Sequence, residues 1–298
     1  MRVFVTGATG FIGSYLVPEL IGSGHQVVGL TRSEEGAKAL TLAGAEVCHG
    51  DINDLDRLRG AVDSVDGIIH TAFNHDFGNI KQHSENDRKV IETLGDALAG
   101  SKKPLIITSG TGLVRSKTDS PTIETDDHFT SAEFARAATE EAADRLIAKG
   151  ANVIVIRLPQ VHDQVKQGRV PEHIRLARQK GWVAYIGEGR NRLPAVHVSD
   201  GVRLYRLALE GGHAGARYHA VAEEGVALRD IAEVIGAGLD MQVRSVTPEE
   251  AKGYFGWAAG LAMMDLASSS LMTRKQLEWN PTGPTLLTDL RNMDYSKI

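Results

Sequence analysis

The sequence predicts an α/β protein: a doubly wound parallel sheet with helices on both faces, followed by a smaller, mainly helical C-terminal lobe. Short apolar runs recur along the first half of the chain, and a segment long enough for a helix separates each run from the next. The runs Ile68-Ile69 and Val153–Ile156 lack polar alternation, as expected for strands that are covered on both faces. A glycine-rich turn directly follows the first run. These three observations favour a parallel sheet over an antiparallel meander.

The strands and helices of the sheet domain follow from this pattern. The apolar runs predict strands over Arg2–Thr6, His25–Leu30, Ala45–Cys48, Gly67–Thr71, Leu105–Ser109 and Asn152–Leu158. Charged and apolar residues at helical spacing predict helices over Glu34–Ala43, Asp54–Val65, Lys81–Ala99 and Ser131–Lys149. A further helix follows the glycine-rich turn. Pro18 lies within it and removes a backbone donor, which predicts a kink or a loosened turn there.

The regular alternation stops near residue 160, which indicates a second unit. We expect residues 1–160 to form the sheet domain, with 195–220 returning to it, and residues 161–194 and 221–298 to form the smaller lobe. Helical patterns in that lobe cover Leu228–Leu239, Pro248–Gly256 and Leu286–Met293. The substrate is expected in the cleft between lobe and sheet, lined by the aromatic residues Trp182, Tyr185, Tyr254, Phe255 and Trp257. Alternatively, these rings build the lobe's own core.

Composition and charge limit the partners that we expect. The 298 residues suffice for one large domain with an appended lobe, and 42% hydrophobic with 24% charged residues is typical of a globular protein. A net charge of −5 disfavours nucleic acid and anionic membranes. Cys48 is the single cysteine, the first strand leaves no room for a leader, and the apolar runs are far shorter than the roughly 20 residues of a membrane span. We expect a cytoplasmic protein with a small-molecule substrate and no nucleic-acid or membrane partner, and a homodimer stays open.

The glycine-rich turn predicts a dinucleotide site. Gly7 permits a tight turn, Gly10 lets a pyrophosphate approach the backbone, and Gly13 allows the helix to pack closely on the strand. The helix N-terminus then presents unpaired N–H groups to the phosphates. Strand, turn and helix in this order are the Rossmann arrangement, whereas the alternative is a turn without a ligand. The predicted contacts in this turn are Gly7, Thr9, Gly10, Phe11, Ile12 and Gly13.

The residues after the second strand indicate which dinucleotide binds. NAD enzymes place an acid there for the ribose 2′-hydroxyl, whereas NADP enzymes place a base for the 2′-phosphate. The chain reads Thr31-Arg32-Ser33, and no carboxylate appears before Glu34. Arg32 supplies a forked cation suited to phosphate, and Ser33 supplies another donor. We therefore predict NADP, although Arg32 could instead be an ordinary solvated arginine.

The chain resembles the extended and atypical branches of the short-chain dehydrogenase/reductase family. The segment Thr6–Gly13, with the sequence TGATGFIG, resembles the family's cofactor turn, and Val196–Asp200 resembles a segment found late in extended members. Asp51-Ile52 resembles the adenine-contacting acid, His70-Thr71-Ala72 the cofactor loop after strand four, and Thr108-Ser109-Gly110 the serine segment of strand five. The resemblance implies further cofactor contacts at Asp51, Ile52, Thr71, Ala72, Phe73 and Pro159. Asp51 could equally be a turn or N-cap aspartate.

The family's catalytic pair is replaced in this chain. In the family, a tyrosine transfers the substrate proton, and a lysine four residues later lowers the tyrosine pKa and holds the nicotinamide ribose. Counting back from Asp144-Arg145-Leu146 places Arg136 at the tyrosine position and Glu140 at the lysine position. Arginine stays protonated in proteins, so the usual proton relay is absent. Asp87 replaces a family asparagine, unless the neighbouring Asn86 takes that place.

Several residues remain candidates for catalysis. Arg136 could clamp an anionic or carbonyl group with its fork of donors, or it could form an exposed ion pair with Glu140 one turn away. Ser109 and Thr111 could orient a substrate carbonyl or satisfy the local turn. The predicted catalytic residues are Ser109, Thr111, Arg136 and Asp87. Replacement proton donors could be Tyr185, His162 or His128.

These features predict an NADPH-dependent oxidoreductase that reduces a small carbonyl or conjugated substrate with a non-standard proton donor. A nucleotide-sugar epimerase or dehydratase is one alternative, but those reactions depend on the missing tyrosine and lysine. A redox-silent NADP-binding sensor is the other. No paired-cysteine or His-x-x-x-His pattern suggests a metal, so we expect none.

Overall fold

Parallel strands form the central sheet of this computed structural model, which describes residues 1–116 and 120–298 without the side chains of Phe77 and Trp257. The strands within the described residues are β1 (Arg2–Thr6), β2 (Gln26–Thr31), β3 (Glu46–His49), β4 (Gly67–His70), β5 (Leu105–Gly110), β6 (Val153–Leu158), β7 (Gln160–His162), β8 (Val183–Ile186), β9 (Arg192–His197), β10 (Arg217–His219), β11 (Glu223–Ala227) and β12 (Val243–Val246). The main sheet has the order β3-β2-β1-β4-β5-β6-β10.

The order of the main sheet creates a switch point between β1 and β4. From β1 the chain moves outward through β2 to β3, then returns to pair β4 with the other side of β1, in the register Val3↔Gly67 and Val5↔Ile69. Ligands of open α/β sheets bind at the carboxyl ends of the strands at such a reversal. The predicted Rossmann sheet is therefore confirmed, and its crevice lies beside the glycine-rich turn.

Helices cover both faces of the main sheet. The α-helices are α1 (Phe11–Gly22), α2 (Glu34–Leu42), α3 (Leu55–Val62), α4 (Ile80–Ala97), α5 (Ala138–Ala148), α6 (Val170–Lys180), α7 (Val198–Gly211), α8 (Leu228–Leu239), α9 (Pro248–Phe255), α10 (Ala259–Met263), α11 (Leu271–Leu277) and α12 (Leu286–Asn292). Along β1, Val3 and Val5 belong to the core shared with α1 and α7, whereas Phe4 belongs to the core shared with α3, α4 and α5. Alternating side chains of one strand thus serve two cores. No helix in the described ranges is long and apolar enough to cross a membrane.

Two local predictions differ from the structure. The helix α1 is continuous from Phe11 to Gly22 although Pro18 lies inside it, so the proline does not interrupt the helix. The helix predicted from Ser131 begins at Ala138, after a 3-10 turn over residues 135–137. The Ser131 N–H donates to the Glu141 carboxylate at 2.6 Å, which fixes the preceding chain as a turn.

Two small sheets accompany the main sheet, and the sequence did not predict them. Strands β7, β9 and β11 form one of them, and β8 pairs with β12 in another. The aromatic residues predicted for the cleft line the lobe's own core instead: Trp182 packs on Tyr254 with ring centroids 4.6 Å apart, and Phe255 is buried beside them. Tyr185 is partly buried under the Arg229 guanidinium. The side chain of Trp257 lies outside the described residues.

Candidate active site

The carboxyl edge of the main sheet brings the predicted site residues together. The cofactor residues follow the strand ends in turn: Gly7, Thr9, Gly10, Phe11, Ile12 and Gly13 after β1, Thr31, Arg32 and Ser33 at β2, Asp51 and Ile52 after β3, Thr71, Ala72 and Phe73 after β4, and Pro159 after β6. Ser109 and Thr111 lie at the end of β5, while Asp87 comes from α4 and Arg136 from the turn before α5. One group of these residues is predicted to bind the dinucleotide, and the other group is predicted to take part in catalysis.

The glycine-rich turn fits the pyrophosphate of a dinucleotide. Gly7 has a φ of +67°, and a Cβ there would lie 2.7 Å from the Ala72 nitrogen. A Cβ on Gly13 would lie 2.1 Å from the Gly7 carbonyl oxygen. Gly10 is the N-cap of α1, and among the described residues no side chain caps this helix and no acid lies in its first turn. The first N–H groups therefore remain for an anion.

The adenosine end of the site has one exposed cation. The Arg32 side chain is 79% exposed, and its Nη1 lies 3.3 Å from Oδ2 of Asp51. Asp51 also accepts from the Asn53 backbone and side-chain amides at 2.8 and 2.7 Å, and these hydrogen bonds hold its pKa below the ordinary value. Asp51 thus forms a local turn, while its predicted contact with the adenine stays a prediction, and Asp54 is the N-cap of α3. Ser33 caps α2 through its hydroxyl oxygen, which leaves its O–H free to donate.

A buried carboxylate anchors the residue at the tyrosine position. Asp87 is 4% exposed, and its Oδ2 accepts from Arg136 Nη1 at 2.8 Å and from the Thr139 hydroxyl. Its Oδ1 lies 2.9 Å from His70 Nε2. Burial alone would raise the pKa of Asp87, but Arg136 and His70 outweigh it, so the pKa lies below its ordinary value. Asp87, and not Asn86, therefore belongs to the site.

Arg136 is held on three sides and keeps free donors. Besides its ion pair with Asp87, Nη2 donates to the Thr108 carbonyl at 3.1 Å, and the guanidinium carbon lies 3.9 Å from the Phe73 ring centroid. These two hydrogen bonds use two of the five N–H donors that a guanidinium carries. The Arg136 side chain remains 22% exposed. The arrangement can present the remaining donors to a ligand oxygen at the sheet edge.

A chain of hydrogen bonds continues from Asp87 into the sheet. His70 links Asp87 to β1, because its Nε2 lies 2.9 Å from Asp87 Oδ1 and its Nδ1 lies 2.6 Å from the Thr6 hydroxyl. The Thr108 hydroxyl donates to the His70 carbonyl at 2.8 Å and lies 2.7 Å from the Tyr205 hydroxyl. Burial raises the pKa of Tyr205, which is fully enclosed. This network orients Asp87 and Arg136 rather than reaching the cleft itself.

The residue at the lysine position belongs to a different, sealed cluster. Glu140 Oε1 accepts from Arg157 Nε at 2.8 Å, its Oε2 accepts from Arg217 Nε at 3.0 Å, and the side chains of Glu140 and Arg157 are both 0% exposed. Burial would raise the pKa of Glu140, but the two arginines lower it to about 2. The alternative of an exposed Arg136–Glu140 ion pair is therefore wrong, because each residue has its own buried partner.

Ser109 on β5 and Thr111 in the turn after it are both buried. Ser109 Oγ is buried and, within the described ranges, has no hydrogen-bond partner of normal geometry, although it lies close enough to Glu140 to help lower the pKa of that carboxyl. Thr111 is buried in the 3-10 turn after β5. The structure thus places Ser109 beside the sealed cluster, while its predicted catalytic role stays a prediction.

The three candidate proton donors are engaged elsewhere. His128 Nε2 lies 2.9 Å from Asp144, whose hydrogen bond raises the pKa of the histidine. His162 is fully buried with Nδ1 2.7 Å from Asp289. Tyr185 lies on β8 in the lobe. In the described ranges, no group of three or more His, Cys, Asp and Glu side chains is placed to hold a metal ion.

Sequence reasoning missed several residues of the two clusters, and one signal could have found Arg157. This arginine interrupts the apolar run of β6, so a buried carboxylate partner was required. Asp87 was predicted as a site residue, and its place on the buried face of α4 beside Val90 and Leu94 also indicates an acid in need of donors. His70, Thr6 and Thr139, in contrast, carry no comparable signal in the sequence.

Sequence comparison supports the reading of the motifs. Residues 3–222 match the model of the NAD dependent epimerase/dehydratase family. An uncharacterized protein of Schizosaccharomyces pombe is 43% identical over 99% of this chain and 100% of its own length. An uncharacterized protein of Saccharomyces cerevisiae is 40% identical over 98% of both chains. A sterol-4-alpha-carboxylate 3-dehydrogenase of Dictyostelium discoideum is 27% identical over 76% of this chain and 73% of its own.

Solved structures share the fold. A dTDP-glucose 4,6-dehydratase from Streptomyces venezuelae, with NAD bound, superposes with a TM-score of 0.77 at 21% identity and covers 98% of this chain and 95% of its own. A UDP-glucuronic acid 4-epimerase from Bacillus cereus, also in complex with NAD, has a TM-score of 0.76 at 17% identity and covers 100% of this chain and 98% of its own. At these identities the likeness concerns the fold alone.

Proposed function

The chain belongs to the NAD-dependent epimerase/dehydratase family of nicotinamide-dinucleotide enzymes, and we propose that it is an NADP(H)-dependent oxidoreductase that reduces a small carbonyl or conjugated substrate. The observation that carries this proposal is the Arg136 guanidinium, held at the tyrosine position by buried Asp87 with donors to spare. When bound, a reduced nicotinamide would supply the hydride. The residues of the chain would bind the cofactor, orient the substrate and polarise its carbonyl group.

Arg136 acts by electrostatic stabilisation of the substrate oxygen and not by proton transfer. It stays charged at any physiological pH, so it donates hydrogen bonds to a carbonyl oxygen and stabilises the negative charge that develops there. Asp87 and the Thr108 carbonyl fix the fork before the substrate arrives, so little reorganisation is required. We propose that the proton comes from water, because Tyr205 is enclosed and His128 and His162 already pair with carboxylates.

Arg32 supports the preference for NADP. Its side chain is largely exposed at the end of β2, and its contact among the described residues is the 3.3 Å ion pair with Asp51, so it can turn to a 2′-phosphate. A phosphate could also accept from the Ser33 hydroxyl. Both side chains favour the phosphorylated ribose over the free one.

Fluorescence titration with NADPH and NADH tests the cofactor. We expect the wild type to prefer NADPH, and Arg32→Gln to weaken NADPH binding by about ten- to a hundredfold with little change for NADH, because one charge-assisted contact is lost. Arg59→Gln, an exposed arginine paired with Asp56, is the matched control. Equal binding of NADH by the wild type would refute the NADP preference, and binding of neither would refute the dinucleotide site.

Turnover tests the role of Arg136. Carbonyl compounds are screened by the loss of NADPH absorbance. We expect Arg136→Ala to lower kcat about 100-fold, as removal of one oxyanion donor does, and Arg136→Lys to restore part of it. Arg145→Gln, an exposed arginine of α5, is the control. Unchanged turnover in Arg136→Ala would overturn the mechanism. NADPH binding without turnover of any carbonyl would favour the redox-silent sensor.

A further inference from the structure

A second arginine stands at the mouth of the site, on the segment that joins β7 to α6. Arg169 is the N-cap residue of α6, and its N–H donates to Oε1 of Gln160 at 2.7 Å. The preceding Gly168 donates to the Val161 carbonyl at 2.9 Å. Both acceptors belong to β7. These hydrogen bonds hold the backbone of Arg169 against that strand and so fix the position of its Cα atom.

The Arg169 guanidinium faces the turn that follows β5. Its Nη2 lies 3.3 Å from the position that a Cβ on Gly112 would take, and Leu266 reaches within 4.0 Å of that same position. Gly112 directly follows Thr111 in the 3-10 turn at the end of β5. The strand that supplies the Thr108 carbonyl to Arg136 therefore leads directly to the neighbourhood of Arg169.

Arg169 has no counter-ion. Among residues 1–116 and 120–298, none forms an ion pair or a hydrogen bond with its guanidinium, whereas Arg192, whose carbonyl accepts from the Leu266 N–H, is held by Asp265 at 2.6 Å. Arg169 is exposed, although the surrounding protein lowers the pKa of its guanidinium. Its side chain is therefore accessible to a ligand.

An exposed arginine without an ion pair can bind an anion without giving up an existing contact. The described residues provide no carboxylate for the Arg169 guanidinium, so its donors remain for a ligand. The planar fork of arginine matches the two oxygens of a carboxylate or a phosphate. The missing partner is thus best supplied by a ligand.

We infer that Arg169 anchors an anionic group of the substrate, so that the compound reduced at this site carries a carboxylate or phosphate in addition to the carbonyl that meets Arg136. The inference rests on the proposed function and narrows its substrate class. It assigns Arg169 to binding and leaves the reaction at the carbonyl to Arg136.

Matched aldehyde pairs that differ by one carboxylate test the inference. The pairs are benzaldehyde with 4-carboxybenzaldehyde and butanal with succinic semialdehyde. Binding is measured by calorimetry on the NADP⁺-loaded protein, where no turnover is needed, and KM and kcat are measured separately with NADPH. We expect the carboxylate member of at least one pair to bind about tenfold tighter or better, mainly through KM, since one charge-assisted contact is gained.

Two variants decide the result. Arg169→Gln should abolish the carboxylate advantage, while Arg175→Gln, an exposed arginine of the same helix paired with Glu172, should keep it. Absence of a carboxylate advantage in both pairs, or an advantage that persists in Arg169→Gln, overturns the inference. If the advantage depends on Arg169 but NADPH is never oxidised, the anion site stands and the proposed reductase activity fails. If both members of each pair are reduced by NADPH with equal KM, the reductase activity stands and the anion site fails.

Discussion

Arg136 and Glu140 stand four residues apart at the positions where the sequence predicts the family's tyrosine and lysine to be replaced, yet their surroundings are opposite. Arg136 pairs with Asp87 from α4, stacks on Phe73 and remains 22% exposed at the sheet edge. Glu140 has both carboxylate oxygens bound by arginines and is 0% exposed. One position stays open to a ligand, whereas the other is part of the protein core.

The two residues at the predicted tyrosine and lysine positions are accommodated in different ways. The acid at the lysine position reverses the charge of that site, but Arg157 on β6 and Arg217 on β10 neutralise it, so no unpaired charge remains. The arginine at the tyrosine position keeps donors that are free of the protein. The contrast supports the proposal that Arg136 takes part in the chemistry of this edge, whereas Glu140 is expected to contribute to stability.

The largest effect is expected at the sealed cluster. Glu140→Gln would leave Arg157 and Arg217 without their shared carboxylate, and breaking a buried pair in this way costs about 3–5 kcal/mol of the free energy of unfolding. Because the pKa of Glu140 is about 2 in the folded protein, its contribution is complete above the ordinary value near 4.5 and is lost as the pH falls toward 2. Urea unfolding at neutral pH measures the loss.

A surface pair provides the control for this loss. Glu92→Gln removes an exposed partner of Arg145 and should cost at most about 1 kcal/mol. If Glu140→Gln cost no more than Glu92→Gln, the lysine position would not be part of a sealed, charged cluster, and the contrast with Arg136 would disappear.

The next effect is expected at the carboxylate behind Arg136. Asp87→Asn keeps the shape but removes the charge that holds the guanidinium, so we expect unfolding free energy to fall by about 1–3 kcal/mol. We also expect kcat to fall about tenfold or more, because the fork is no longer fixed before the substrate arrives. Asp96→Asn, an exposed acid of the same helix paired with Lys149, should change neither. A stability loss with unchanged kcat would make Asp87 structural only.

The pH dependence of stability tests whether the sealed cluster is charged. His219 Nδ1 lies 2.9 Å from the Ser269 carbonyl and its Nε2 lies 3.4 Å from Arg157 Nη1, and burial together with Arg157 lowers the pKa of His219 to about 3. The unfolded state therefore binds the extra proton between about pH 6.5 and 3. Stability should fall as the pH drops below 6.5, by up to about 1.4 kcal/mol per pH unit from this group.

Comparison of variants isolates this histidine from the others. His219→Gln should reduce the slope of unfolding free energy between pH 7 and pH 5 by about that amount, whereas His213→Gln, at an exposed position, should not. An unchanged slope in His219→Gln would mean that folding does not lower the pKa of His219, which would contradict the effect of burial and Arg157 on this histidine.

The fold could be predicted closely because buried parallel strands leave a clear pattern. The predicted strand Leu105–Ser109 differs from β5 by one residue, since nothing polar interrupts the run before its end. The lobe was harder, because β8 and β12 are four residues long and their sequences are not distinct from loops or helix ends. Short pieces of sheet depend on the partners that the rest of the chain provides.

The cofactor half of the site was also within reach of the sequence, and the catalytic half only in part. Gly7, Gly10 and Gly13 act through backbone geometry that is local in the chain. The pairing of Arg136 with Asp87, by contrast, joins residues 49 apart and depends on how α4 packs beside α5. The spacing of one helical turn suggested Glu140 as the partner of Arg136, but the observed partner, Asp87, lies on α4.

The smallest effect is expected at Ser109. This residue tests whether β5 belongs to the sealed cluster around Glu140 or to the open site around Arg136. Its buried hydroxyl lacks a normal partner within the described ranges and lies beside Glu140, on the sealed side. An unsatisfied buried hydroxyl gives no net stability, so Ser109→Ala should change unfolding free energy by less than about 1 kcal/mol and should leave kcat within about threefold. Thermal unfolding and NADPH turnover measure both. A large fall in kcat with intact stability would instead place Ser109 at the substrate and extend the open half of the site across β5 toward Glu140.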